Sequence, residues 1–281
     1  GFVTTRPGVG TFTVPSAHGS VFQAPLIGIL DGDGKIIYEP FYRLALKSHI
    51  AMELGKMPTL IQEIRLFSER ENDQFEELRS IHCDALVCIA PDQKQEPLLR
   101  RIQQYRPVVV VDTTLPGMTS IELDRYRKGR VLGEALLAEG RRRVLFAQNE
   151  RYYATTFQGC RDVFREAGIE IPEEHFFCNE INGLETLLQS GYRPQAIAPC
   201  LENFDAIAEL LRRCGIDLYE ECRMATFMFK PENMPEPVML FTFPFEEFGK
   251  ETVRQIRNRL ENPSLPPERI VFDFNYKMTT V

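Results

Sequence analysis

Pro107-Val108-Val109-Val110-Val111-Asp112, followed by Ile121-Glu122-Leu123-Asp124 and then Leu136-Leu137-Ala138-Glu139-Gly140-Arg141-Arg142-Arg143-Val144, carries the clearest signal of the chain's architecture. The valine run has no polar alternation, which suits a strand covered on both faces. Asp124 carries the short acceptor side chain of a helix N-cap, and Gly140 is suited to the left-handed residue that closes a helix, so a helix is expected between two strands. Strands joined through a helix belong to crossover units of a parallel sheet.

The same switch recurs on either side. Residues 26–30 read as a buried strand. Tyr42, Leu46, His49, Ile50 and Glu53 then share one helical stripe, broken by Gly55 and Pro58. Segments 60–67, 73–81, 85–90, 97–105 and 108–111 alternate between strand and helix. Beyond 144–147 come a helix at 153–166, a strand at 176–178, a helix at 184–188, a strand at 196–198, a helix at 203–213 and strands at 224–229 and 237–243. A helix at 246–260 and a strand at 270–274 close the pattern. The expected fold is α/β, with two Rossmann-like lobes of parallel sheet and a cleft between them.

Composition narrows the function classes. With 281 residues, 26% charged and 43% hydrophobic, the chain has the balance of an ordered, soluble globular protein large enough for two cores. No apolar run approaches the roughly 18 residues of a membrane span, so no membrane partner is expected. Seven cysteines, odd in number and without a C-x-x-C pair, read as reduced thiols of a cytoplasmic protein rather than disulfides or a zinc site. The formal net charge of −7 argues against the body itself gripping nucleic acid. The Asp31-Gly32-Asp33-Gly34 stretch lacks the remaining ligands of a calcium loop and reads as a solvated turn, leaving no metal expected.

The first residues read differently. Two short alternating runs, 2–5 and 9–14, flank Arg6-Pro7-Gly8, where proline sets φ and glycine accepts the positive φ of a tight turn. Such a hairpin is too small to stand alone in water. Gly8-Val9-Gly10-Thr11-Phe12 resembles the closing strand of the wing in GntR-type winged-helix transcription factors, with Thr13 standing before the expected Val14. The resemblance implies that residues 1–14 are the remnant of a DNA-binding module, with Arg6 at its tip as the DNA contact. Residues 15–24 have linker composition.

From Pro25 onward the chain resembles the effector-binding domain of LacI/GalR regulators, a type I periplasmic-binding-protein-like fold. Besides the stretches quoted above, the resemblance rests on Phe157-Gln158-Gly159-Cys160-Arg161-Asp162-Val163-Phe164, Cys200-Leu201-Glu202-Asn203-Phe204-Asp205-Ala206 and Glu246-Glu247-Phe248-Gly249. It implies three crossings between lobes, near Asp124, Phe243 and Pro266. The lobes would then comprise 25–124 with 244–266, and 125–243 with 267–281. A GntR wing on such a body is the architecture of arabinose-responsive repressors of the AraR type.

Ligands of this fold lie outside the carboxyl ends of the strands, between the lobes. The candidates there are Tyr38, Phe41 and Tyr42 after the first strand, Asp92 after the third, and Asp124 with Arg125 at the first crossing. The second lobe offers Arg151, Thr156, Glu202, Asn203 and Met228, and Phe243 stands at a crossing. Sugar-responsive relatives carry an arginine at the place of Thr156, an aspartate near Met228 and Phe229, Asn-Asp at Glu202-Asn203, and often a glutamine at Phe243. Hydrogen bonds to charged groups contribute about 1.5–3 kcal/mol each, so losing the arginine and the aspartate forfeits about two to four orders of magnitude in polyol affinity. A less polar pocket, or a modified or aromatic ligand, is therefore expected. Two readings stay open for Asp124: Arg125 or Arg151 replaces its customary arginine partner, or its carboxylate only caps the helix.

No G-x-S-x-G, P-loop or H-E-x-x-H occurs, and His18, His49, His82 and His175 are dispersed, so neither catalysis nor a cofactor is expected. The expected role is the effector-binding body of a homodimeric repressor, with a sugar-like or aromatic effector and operator DNA as partners. A free-standing solute-binding receptor and a body that only dimerises are the alternatives.

Overall fold

A computed structural model describes residues 2–6, 10–14, 24–31, 40–68, 70–148, 152–178, 181–199, 204–218, 220–227, 238–241 and 243–273. Strands β1 (Phe2–Arg6) and β2 (Gly10–Val14) pair antiparallel, with Phe2 opposite Val14 and Arg6 opposite Gly10. They form a two-stranded sheet of their own, separate from the two large sheets.

The first large sheet is built from β3 (Leu26–Asp31), α1 (Pro40–Leu54), β4 (Leu60–Ile64), α2 (Glu71–Ser80), β5 (Ala85–Ile89), α3 (Glu96–Gln103), β6 (Val108–Val111) and β7 (Thr119–Leu123). The chain then passes into α4 (Arg125–Ala138), β8 (Val144–Gln148), α5 (Tyr152–Glu166), β9 (Phe176–Cys178), α6 (Ile181–Gln189), β10 (Ala196–Pro199), α7 (Phe204–Arg213), β11 (Arg223–Phe227) and β12 (Val238–Phe241). It returns through α8 (Phe245–Glu261) to β13 (Arg269–Phe272). The two sheets have strand orders β13-β7-β6-β5-β3-β4 and β12-β11-β10-β8-β9, parallel throughout.

Every residue of β5, β6 and β7 is buried; the unalternating apolar runs of β5 and β6 require this, while β7 also buries its polar Thr119, Ser120 and Glu122. Successive side chains feed opposite faces. Leu86, Cys88, Val108 and Val110 pack with Phe75, Leu78, Leu98 and Leu99 of α2 and α3. Val87, Ile89, Val109 and Val111 join Leu46, Ile50, Phe248 and Ile256 of α1 and α8 in a core that continues into Leu132, Phe146 and Phe157 of the second lobe. On the outer side of the second sheet, Leu145 and Ile197 pack with Leu184, Leu188, Phe204, Ile207 and Leu211 of α6 and α7.

The expected strand at 60–67 ends at Ile64. The third crossing does not fall at Pro266. Residues after 266 are expected in the second lobe, yet Arg269–Phe272 pairs with β7, Ile270 opposite Ile121, as the edge of the first sheet. The prolines at 266 and 267 follow the helix without turning the chain away. Arg259 donates to the Pro266 carbonyl (2.9 Å), Gln255 donates to Glu268 (3.0 Å), and the Ser120 amide donates to the Glu268 carbonyl (2.8 Å), holding the loop on its own lobe until β13 begins.

Candidate functional site

β7 and β12 run from their carboxyl ends directly into crossings, and β13 ends beside β7, so strand ends of both sheets converge there. Among the described residues, two non-glycine residues in the left-handed region occur at the strand ends of the first sheet, Ala90 after β5 (φ 46°) and Asp112 after β6 (φ 63°). Such conformations persist where the surroundings hold them, and they concentrate at functional sites.

Asp124 is the N-cap of α4: its Oδ1 accepts the Arg127 amide at 2.7 Å, and its own amide donates to the Phe272 carbonyl at 3.0 Å. The capping reading is thus realised, and one aspartate links the first crossing to the returning strand. Gly140 closes the same helix with φ 75°. Arg125 turns to Asp112 instead, with Nη2 2.8 Å from its main-chain oxygen and 2.9 Å from Oδ1.

The remaining candidates separate. Asp92 caps the short 3-10 turn Gln93–Gln95 in a capping box, accepting from the Lys94 amide while Gln95 accepts from the Asp92 amide. Thr156, expected to face the pocket, is instead wholly buried, and its peptide carbonyl abuts Gly129 where α4 and α5 cross. Phe243 is half-buried, its ring 4.6 Å from Phe245 and 4.5 Å from Phe248, and Phe248 lies 4.9 Å from Phe272. The second crossing and the returning strand therefore meet in one ring cluster. Phe41 and Tyr42 fall in α1, but Phe41's and Tyr42's side chains, together with Tyr38, Arg151, Glu202, Asn203 and Met228, lie outside the described residues.

Two polar residues near the crossings escape the sequence reading, and a third corrects it. Asp31, expected in a solvated turn, instead ends β3 and pairs with Lys47 of α1 at 2.8 Å. Asp112 follows an apolar run, and nothing beside it in sequence marks it as a partner for Arg125. Lys128 is only 8% exposed, one turn beyond Asp124 on the stripe that continues as Leu132 and Leu136. A lysine in an otherwise apolar helical stripe is its signal. The Cys160 thiol, sealed in the α4–α5 seam, is pushed far above its ordinary pKa by burial alone, which makes it a packing group rather than a nucleophile.

Two surface hollows lie elsewhere. One, lined by Arg141, Arg143, Arg193 and Gln195, sits at the amino ends of β8 and β10, where Arg141 donates to the Glu220 and Glu221 carbonyls. The other lies between α6 and α7 around Leu188, Leu210 and Cys214. Among the described residues no helix is long and apolar enough to cross a membrane.

No family model matches the sequence, and no curated protein matches it. Solved structures do match the fold. The transcriptional regulator CelR in complex with cellobiose superposes with a TM-score of 0.77 at 18% identity, over 90% of this chain and 83% of that one. A LacI-family regulator from Clostridium acetobutylicum gives 0.72 at 14%, over 90% and 99%. Another from Enterococcus faecium, with bound ribose, gives 0.68 at 17%, over 91% and 98%. With about nine-tenths of the chain covered in each case, the protein has the two-lobed α/β fold of LacI-family transcriptional regulators.

Proposed function

We propose that the chain is the effector-binding and dimerisation body of a DNA-binding transcriptional regulator, a repressor, whose small-molecule ligand lies between the lobes. The observation that carries this is the convergence of strand ends from both sheets on the crossings, with left-handed Ala90 and Asp112 at that edge, in a fold shared with regulators that hold cellobiose and ribose. The separate β1–β2 hairpin supports the reading of residues 1–14 as a wing, with Arg6, the last residue of β1, as its contact with operator DNA. Leu44 and Met52 on α1, each 57% exposed, and Leu60 and Ile61 on the edge strand β4 are apolar surface suited to a second copy. A dimer would convert lobe closure into a change in the spacing of two DNA-binding modules.

The effector belongs to the sugar-like compounds, and the lack of an arginine at position 156 and of a glutamine at position 243 to bind hydroxyls favours a modified or less polar member. A thermal-shift panel of neutral sugars, sugar acids and aromatic glycosides tests this, run on wild type and on Asp124→Ser. Serine keeps the cap of α4 while removing the carboxylate, so the comparison reports on ligand contact rather than on helix stability. At least one compound at about 100 times its Kd is expected to stabilise wild type by about 2.7 kcal/mol, with a smaller shift for Asp124→Ser. A flat response across the panel overturns the sensor reading; equal shifts in both proteins would remove Asp124 from the site.

A further inference from the structure

We propose that the Arg125–Asp112 pair is a directional tie between the lobes that sets how far they open, while the Phe243–Phe248–Phe272 ring cluster is the pivot that stays packed. The tie rests on the two-lobed fold and is independent of which effector the cleft takes. One guanidinium nitrogen of Arg125 holds both the main-chain oxygen of Asp112 and its carboxylate, at 2.8 and 2.9 Å. The two side chains are only 17% and 4% exposed, so solvent screens the pair weakly. Asp112 remains tethered to the first sheet, its amide donating to the Ile121 carbonyl at 2.7 Å. Its φ of 63° is unfavourable for a residue with a Cβ, and the guanidinium clasping two of its oxygens helps hold it there.

Each partner moves with the element that carries it. Arg125 is the first residue of α4, and α4 is locked to α5 by direct backbone approach: a Cβ at Gly129 or at Gly159 would overlap the peptide oxygen of Thr156 or Tyr126. The guanidinium must therefore travel with the second lobe. Asp112 travels with β6 and the first. Rotation of one lobe against the other changes the angles of the two hydrogen bonds, which weaken steeply when bent. The ring cluster around the fully buried Phe248 is held by non-directional apolar contact and tolerates the same rotation. A hinge with one angle-sensitive and one angle-tolerant contact has a preferred closure and a defined point of release.

The test uses the ligand-free chain as wild type, Arg125→Gln, Asp112→Asn and Arg125→Lys, followed by hydrogen exchange and small-angle X-ray scattering. In the Gln and Asn variants, exchange at Asp112 and in the first turn of α4 is expected to rise about ten- to a hundredfold. Amides of β5 and β8 should keep wild-type rates, and the maximum dimension from scattering should increase. Arg125→Lys, which keeps the charge without the planar fork, should fall between, and it carries the test with Asp112→Asn if the Gln variant does not fold. Unchanged exchange, an equal rise in β5 and β8, or a local rise without expansion each overturns the tie. Because no ligand is present, none of these results bears on whether the cleft senses one.

Discussion

Gly129→Ala is expected to destabilise the protein by about 3 kcal/mol or more, a fall of about 6–12 °C in Tm for a chain of this size. The added methyl would overlap the Thr156 carbonyl oxygen and stand 2.7 Å from its carbonyl carbon and 3.0 Å from the Cys160 amide nitrogen. These are backbone atoms, so no side-chain rotation can make room; α4 and α5 must move apart. That separation would open contacts along the whole seam, including Gly133 against Val163 and the buried Cys160 thiol. The matched control is Gly140→Ala. Nothing lies within 4 Å of that position, so the left-handed φ of 75° is the only cost, about 1–2 kcal/mol. Thermal or urea unfolding of the two variants separates a steric clash from a conformational penalty; equal losses would show that the helices are not in backbone contact.

Phe248→Ala should cost about 3–5 kcal/mol as a large-to-small change at a fully buried aromatic. Its consequence should differ in kind from that of an equally deep cavity elsewhere. Phe248 lies between Phe243 of the second crossing and Phe272 of β13, so its removal loosens the crossing and the returning strand at once. Phe204, 2% exposed, belongs to the outer core of the second lobe. Both alanine variants should lose comparable stability. Only Phe248→Ala should split urea unfolding into two transitions as the lobes cease to unfold together. Two single transitions would mean that the ring cluster does not join the lobes.

These effects depend on features of unequal visibility in the sequence. The Val108 to Val111 run, the Asp124 cap and the Gly140 closure are local signals, and the helix and strands they define appear where the spacing places them. The path after α8 is set by side-chain hydrogen bonds from Arg259 and Gln255 and by the Ser120 amide reaching across from β7, which no hydrophobic pattern reports, and Pro266 is a misleading marker for a crossing. The site is less legible for the same reason. Arg125 can be singled out as a cation beside Asp124, but its partner Asp112 is adjacent only because β6 and β7 are neighbours in the sheet. Thr156 is expected at the cleft, yet it is a seam residue because Gly129 lets α4 press against it. A left-handed φ at Ala90 has no residue-type signature, and an aspartate such as Asp112 tolerates that region without requiring it.

Ligand binding between the lobes should change their closure, and every regulatory consequence proposed for this chain follows from that step. Small-angle X-ray scattering of the wild-type chain, with and without the compound that gives the largest thermal shift, reads it without intermediaries. A smaller radius of gyration and a shorter maximum dimension are expected when that compound is bound. A compound that binds and stabilises the protein while leaving the scattering curve unchanged would show that the lobes do not respond to it.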